Sequence, residues 1–171
     1  GGVAVAGGEG GGGGEAHARR KKALLNKIKK ILRLCLQQLN HNVFTTALHK
    51  MKDMDPIPTL FMWTLITTLG VHHNLTATFG VRIMTDLIQA RVWAAAPDIW
   101  RGFRILMLKQ RPQSFAVLLA ELPIEQLKRL LLEHRDQFFE PLKSYAESNR
   151  RMIRKPVLEM LGIAVGKAVN K

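Results

Sequence analysis

Few residues in this chain have the type and spacing that catalysis or metal binding would need. His72 and His73 are adjacent, so their side chains point in different directions, and no cysteine or acidic residue lies at metal-ligand spacing from them. Ser114 lies outside any Gly-x-Ser-x-Gly sequence, and we expect it to bond a free backbone N–H at the start of a helix. Asp53 and Asp55 lack the alternating acids and glycine of a calcium loop. These patterns predict a domain without catalytic residues, metal or cofactor.

The glycine-rich start and the single cysteine also fail to match a reactive site. The glycine run precedes no predicted strand and lacks the Gly-Lys-Ser/Thr end of a phosphate-binding loop. Cys35 lies between apolar and polar positions, where we expect a buried free thiol, and one cysteine excludes an intramolecular disulfide. Aromatic residues make up 6% of the chain and fall on apolar stripes, which disfavours a base-stacking platform.

Positive charge dominates the sequence and is concentrated in one segment. The formal net charge is +13, and residues 19–33 carry eight Lys or Arg residues and no acid. Such a segment could meet nucleic acid, an acidic membrane surface or an acidic protein. The simplest interpretation is the solvated side of an amphipathic helix.

Apolar residues recur at helical spacing along the first half of the chain. They predict a helix over 19–39, with Asn40 and Asn42 as stop and cap signals before the next one. Pro58 is expected in the first turn of a third helix that is buried on both sides. Asn74 is a candidate cap for a fourth helix, inside which Gly80 marks a close approach to another helix.

Prolines divide the second half of the chain. Pro97, Pro112 and Pro123 each open a predicted helix, whereas Pro141 and Pro156 interrupt the last pair, over roughly 137–147 and 152–161. The helix after Pro97 is predicted to turn inward the residues Ile99, Trp100, Phe103, Leu106 and Met107.

Helices of this length, joined by short turns, predict an all-α fold. Their antiparallel succession favours a HEAT- or armadillo-like stack, although no repeat recurs at a fixed period. We expect a disordered glycine-rich linker over 1–18, one helical domain over 19–163 and a flexible tail over 164–171. The longest apolar runs are far shorter than a membrane span, which favours a soluble intracellular protein.

Seven short segments of this sequence resemble the C-terminal domain of the symplekin family, the scaffold of the pre-mRNA cleavage and polyadenylation machinery. They occur in the family's order and spacing between Pro58 and Gly162, and read PTLFMWTLI, GVRIMTDLIQARVW, PDIWRGF, RPQSFAVLL, LPIEQL, EPLKSYA and VLEMLGI. The chain departs at Trp93–Asp98 and at Ala120-Glu121, where it is one residue longer than the family pattern.

The resemblance implies a nuclear helical scaffold without catalytic residues. Its partners would be the endonuclease subunit of the cleavage factor and that subunit's inactive homologue. We predict that a polar face on the helix after Pro97 contributes to partner contact, through Arg101, Arg104, Lys109, Gln110 and Arg111. The residues that carry the resemblance are expected to pack adjacent helices, and they are Trp93, Trp100, Phe103, Pro112 and Phe115.

Two other functions fit the sequence. The basic segment over 19–33 could make the chain an RNA-contacting module, whose affinity would fall steeply with salt. The helical stack could also serve as an adaptor outside RNA processing, such as a transport or cytoskeletal scaffold.

Overall fold

Nine α-helices account for most of residues 12–164, the part of the chain that the structure, a computed structural model, describes. No strand occurs in that range, which confirms the predicted all-α class. The helices are α1 (Gly12–Gln38), α2 (His41–Lys52), α3 (Phe61–Val71), α4 (Val81–Gln89), α5 (Pro97–Lys109), α6 (Gln113–Glu121), α7 (Ile124–Glu133), α8 (Arg135–Ser148) and α9 (Lys155–Met160). Residues 1–11 and 165–171, which hold most of the predicted linker and tail, lie outside the described residues.

The chain divides into two compact units, residues 1–39 and residues 40–171, and this boundary falls inside the domain predicted over 19–163. In the first unit, α1 begins at Gly12, earlier than predicted, so residues 12–18 are helical. Glu15 lies in the first turn, where the helix dipole favours a negative charge, and its carboxylate is 3.4 Å from Arg19 Nη2. Because extending a formed helix costs far less than nucleating one, the end of the glycine tract joins it.

Helix α1 presents both charge and apolar surface. Leu24 and Ile31, which belong to the predicted apolar stripe, are 58% and 60% exposed, and Leu34 beside them is 64% exposed. Cys35 is half-buried, which corrects the expectation of a buried thiol.

The second unit starts with a capped helix. The Asn40 side chain accepts a hydrogen bond from the Asn42 N–H at 3.0 Å, so Asn40 is the cap of α2. Asn42, the predicted cap, lies instead in the first turn of the helix. Pro58 precedes α3 rather than lying in its first turn, and its carbonyl accepts from the Phe61 N–H at 2.9 Å. Helix α3 packs against both α2 and α5, as expected from its apolar residues on every side.

The connection from α3 to α4 departs from the prediction. A 3-10 turn (His73–Leu75) and a π-helical turn (Thr76–Gly80) precede α4, and no side chain caps any of these segments. Asn74 is therefore not a helix cap, because the chain already turns helically before it. The close approach predicted at Gly80 is confirmed, since a Cβ there would lie 3.3 Å from Leu69 Cδ1.

Helices of the second unit pack on helices one or two places along the chain. Adjacent contacts join α2 to α3, α5 to α6 and α7 to α8, and alternate contacts join α3 to α5, α4 to α6, α6 to α8 and α7 to α9. This alternation is typical of stacked helical arrays. One core runs through the unit and includes Phe61, Phe103 and Phe138, each fully buried.

The last helices differ from the prediction at Pro141. Helix α8 continues through this proline, which costs a backbone hydrogen bond. Burial of Phe138, Leu142 and Ala146 on the same helix stabilises it against that loss. Pro156 lies in the first turn of α9, where proline is tolerated.

Candidate interaction site

Helix α5 separates an inner apolar face from an outer charged face. It begins at Pro97, as predicted, and its inner residues Ile99, Phe103, Leu106 and Met107 are all buried. On the outer side, Arg101, Ile105 and Lys109 are exposed. The helical period therefore places Arg101 and Lys109 away from the core, whereas Arg104 is half-buried.

Three cations at the outer side are accessible to a partner. Arg101 Nη2 lies 3.0 Å from Asp98 Oδ1, and both side chains are 68% exposed, so this ion pair adds little stability. Beyond the end of α5, Arg111 Nε donates to the Leu108 carbonyl at 2.9 Å, and its guanidinium lies 5.9 Å from the Phe115 ring centre. Together with Arg104, the residues Arg101, Lys109 and Arg111 form what we call the basic face.

Arg104 is the most enclosed member of the basic face. Its guanidinium carbon lies 5.9 Å from the centre of the Trp100 ring, which in turn stacks on Phe103 at 5.7 Å and 15°. The Arg104 Nε is buried and has no hydrogen-bond partner among residues 12–164. A buried N–H without an acceptor is costly, so the Arg104 side chain carries a donor whose hydrogen bond is unmet.

Gln110 does not belong to the basic face, which corrects the prediction for this residue. It is only 7% exposed, and its Oε1 accepts a hydrogen bond from Thr76 Oγ1 at 2.8 Å. The reason is helical spacing: Gln110 follows Phe103 by two turns and lies on the inner side. Its polar side chain is satisfied by Thr76 rather than by solvent.

Replacing Gln110 by leucine is expected to destabilise the fold by about 1–3 kcal/mol, because the Thr76 hydroxyl loses its acceptor in a buried place. Adding Thr76→Val should recover part of this loss, since removing both polar groups leaves none unpaired. Urea unfolding measures the free energy of unfolding of each variant, and Lys109→Ala, at an exposed position, is the control. A Gln110→Leu variant as stable as Lys109→Ala would contradict the buried pair.

The aromatic residues of the sequence pattern lie where helices meet. Phe103 is fully buried and Phe115 is 3% exposed, with its ring edge-on to Tyr145 at 6.2 Å. Trp93 and Trp100 are partly buried against the core, and Pro112 is exposed just before α6.

Ser114 lies in the first turn of α6 but does not bond a backbone N–H there. Its hydroxyl is buried and donates to the Met107 carbonyl, in the last turn of α5. The final carbonyls of a helix lack intrahelical partners, so Ser114 satisfies the end of one helix from the start of the next. It therefore fixes the turn that carries Arg111.

A depression of about 250 Å³ opens beside the basic face. Helix α5 lines it with Arg101, Arg104, Ile105 and Leu108, and the junction of α7 and α8 adds His134 and Gln137. The α5 residues follow an i, i+3, i+4, i+7 spacing, which sequence reasoning could have used to include Ile105 and Leu108. No local pattern pointed to His134 or Gln137.

His134 has a lowered pKa, chiefly because burial disfavours its charged form, and secondarily because Arg104 repels it; Glu133 acts in the opposite direction. Between this lowered value and the ordinary one near 6.5, the unfolded chain binds more protons than the folded one. Stability carried by neutral His134 is therefore full above pH ~6.5 and is lost as the pH falls below it.

We expect His134→Gln to flatten the dependence of unfolding free energy on pH between about 7 and 5. The wild type should lose more stability than the variant across this window, as measured by urea unfolding at several pH values. His49→Gln, which changes a histidine outside this depression, serves as the control. Parallel profiles of unfolding free energy against pH in wild type and His134→Gln would contradict the lowered pKa of His134.

Two kinds of feature are absent from the described residues. Residues 12–164 contain no group of three or more His, Cys, Asp or Glu side chains arranged to hold a metal ion. Within the same range, no helix is long and apolar enough to cross a membrane. Fold and surface together define a packed helical domain with a basic face.

Comparison with known proteins gives the family. The family model described as "Symplekin tight junction protein C terminal" matches residues 15–134, well over half of the chain. The chain therefore belongs to the symplekin C-terminal family, which confirms the resemblance seen in the sequence. The matched region includes all of α1 except its first three residues, and the whole of the basic face. No solved structure matches this chain.

Proposed function

We propose that this chain is a non-catalytic helical scaffold in pre-mRNA 3′-end cleavage and polyadenylation, working in the nucleus. It would bind the endonuclease subunit of the cleavage factor and that subunit's inactive homologue. Membership of the symplekin C-terminal family carries this proposal. A stack of helices suits the role because it offers extended surface on which partner segments bury apolar area.

The basic face is the surface we assign to partner contact. Lys109 and Arg111 are exposed and have no acidic neighbour within salt-bridge distance in the described part of the chain, and Arg101 has only an exposed, weak pair with Asp98. Arginine and tryptophan are both enriched among the residues that contribute most to binding energy at protein interfaces. The Arg104 and Trp100 pair has this composition, and the Trp100 ring stacks on Phe103.

Purification of the tagged full-length protein from nuclear extract tests the proposed role. We expect cleavage-factor subunits to co-purify with it and to be identified by mass spectrometry. An adaptor outside RNA processing would instead bring down transport or cytoskeletal proteins. Recovery of such proteins without any cleavage-factor subunit would refute the proposal.

Direct RNA contact through α1 is a second candidate, favoured by the exposed cations of that helix. Arg20, Lys21, Lys22, Lys27 and Lys30 are all exposed. Phosphate contacts of this kind predict that RNA affinity falls about tenfold or more between low and moderate salt. The exposed Leu24, Ile31 and Leu34 on the same helix favour a protein partner, because a phosphate backbone leaves apolar side chains uncovered.

A further inference from the structure

The depression beside the basic face combines positive charge with apolar wall. Arg101 and Arg104 supply the charge, and Ile105 and Leu108 supply aliphatic surface on the same side of α5. Ile105 is 42% exposed although it is a large apolar residue. A ligand that fits must therefore carry negative charge and an apolar group side by side.

Arg104 is a half-buried donor among the residues that line this depression. Its buried Nε has no acceptor within residues 12–164, while Trp100 limits the positions open to the guanidinium. Arginine binds carboxylates through parallel N–H bonds in a fixed geometry, and an enclosed guanidinium loses little freedom on binding. Arg101 is held by its exposed pair with Asp98, so exchanging that carboxylate for another costs little.

The neighbouring acid does not fill the site. Glu133 precedes His134, but its Oε1 lies 2.6 Å from Arg129 Nε, and Glu133 is not among the residues that line the depression. Its other carboxylate oxygen is 4.0 Å from His134 Nε2, beyond hydrogen-bond distance. Gln137 adds an amide that can donate to a bound oxygen.

We propose that this depression binds an aspartate or glutamate side chain together with an adjacent aliphatic side chain from a segment of a partner protein. The acidic group would bond Arg104 and Arg101, and the aliphatic group would cover Ile105 and Leu108. The inference rests on the proposed function in assuming a protein partner, and it names the chemistry of the segment that this partner supplies. RNA fits less well, because a sugar-phosphate chain offers no aliphatic group for Ile105.

The test is an NMR titration of the isotope-labelled 171-residue chain with a capped peptide of alternating glutamate and leucine. The Nε–Hε signal of Arg104, assigned from its loss in Arg104→Gln, is expected to shift on titration. Arg104→Gln should weaken binding by about tenfold, and Ile105→Ser, which keeps every charge, should also weaken it. Arg82→Gln, an exposed arginine on α4, should stay within about twofold of wild type.

Three results would overturn the inference. They are an equal response to a matched peptide of glutamine and leucine, no weakening in Arg104→Gln, and stronger binding of an oligouridylate at the Arg104 signal. Failure here is distinguishable from failure of the proposed function. Cleavage-factor subunits could co-purify with the full-length protein while the peptide leaves the Arg104 signal unchanged. In that case the scaffold role stands and the proposed peptide site is wrong.

Discussion

Replacing Gly102 by valine should destabilise the protein by about 3 kcal/mol, and Gly102→Ala by about 1–3 kcal/mol. A Cβ at position 102 would lie 2.6 Å from Met62 Cβ and 2.8 Å from Met62 Cγ. Because the Met62 Cβ is fixed to the backbone of α3, rotation of the Met62 side chain cannot remove this clash. The helices α3 and α5 would have to separate, and that separation would loosen the part of the core between them.

Gly70 provides the matched control for Gly102. It lies in α3, and a methyl group added there would meet nothing within 4 Å, so Gly70→Ala should be neutral or stabilising by up to about 1 kcal/mol. Thermal and urea unfolding of the two alanine variants measure the difference directly. Equal stability of Gly102→Ala and Gly70→Ala would show that α3 and α5 do not touch at this point.

Truncating Phe103 to alanine should cost about 3–5 kcal/mol, because this side chain is fully buried and a cavity would remain. The loss would also remove the ring on which Trp100 stacks, so the fluorescence of Trp100 should change. Ile105→Ala, on the outer side of the same helix, should cost less than about 1 kcal/mol.

Urea unfolding of Phe103→Ala and Ile105→Ala decides whether the aromatic residues of the family pattern pack the core. Similar losses of unfolding free energy in the two variants would mean that the Phe103 side chain does not face the core. A large loss in Phe103→Ala alone would support packing as the role of this residue.

The helices were predictable because their signals are local. Apolar spacing and Pro97 predict α5, and Asn40 marks the boundary before α2. Neither prediction requires knowing where any other helix lies. The prediction at Pro141 was wrong because the effect of this proline depends on burial elsewhere along α8. Propensity near one residue could not weigh the packing of Phe138 and Leu142.

The site was only partly predictable, because tertiary neighbours define it. Helical spacing predicts the exposed positions of Arg101 and Lys109 on α5, whereas Gln110 was misplaced because a polar residue was assumed to face outward. Its acceptor role depends on Thr76, which is distant in sequence. The same holds for Gly102, whose close contact requires knowing that α3 packs on α5.

Binding of cleavage-machinery subunits to the basic face is tested most directly by retention on immobilised protein. The ligand is the endonuclease's C-terminal region with its inactive homologue, and the variant carries Arg101→Glu, Arg104→Glu and Arg111→Glu. We expect retention on wild type and on the control Arg82→Glu, and a loss of at least about tenfold in affinity for the triple variant. Circular dichroism should show that the triple variant keeps its helices. Unchanged retention by a folded triple variant would contradict a partner-binding role for the basic face.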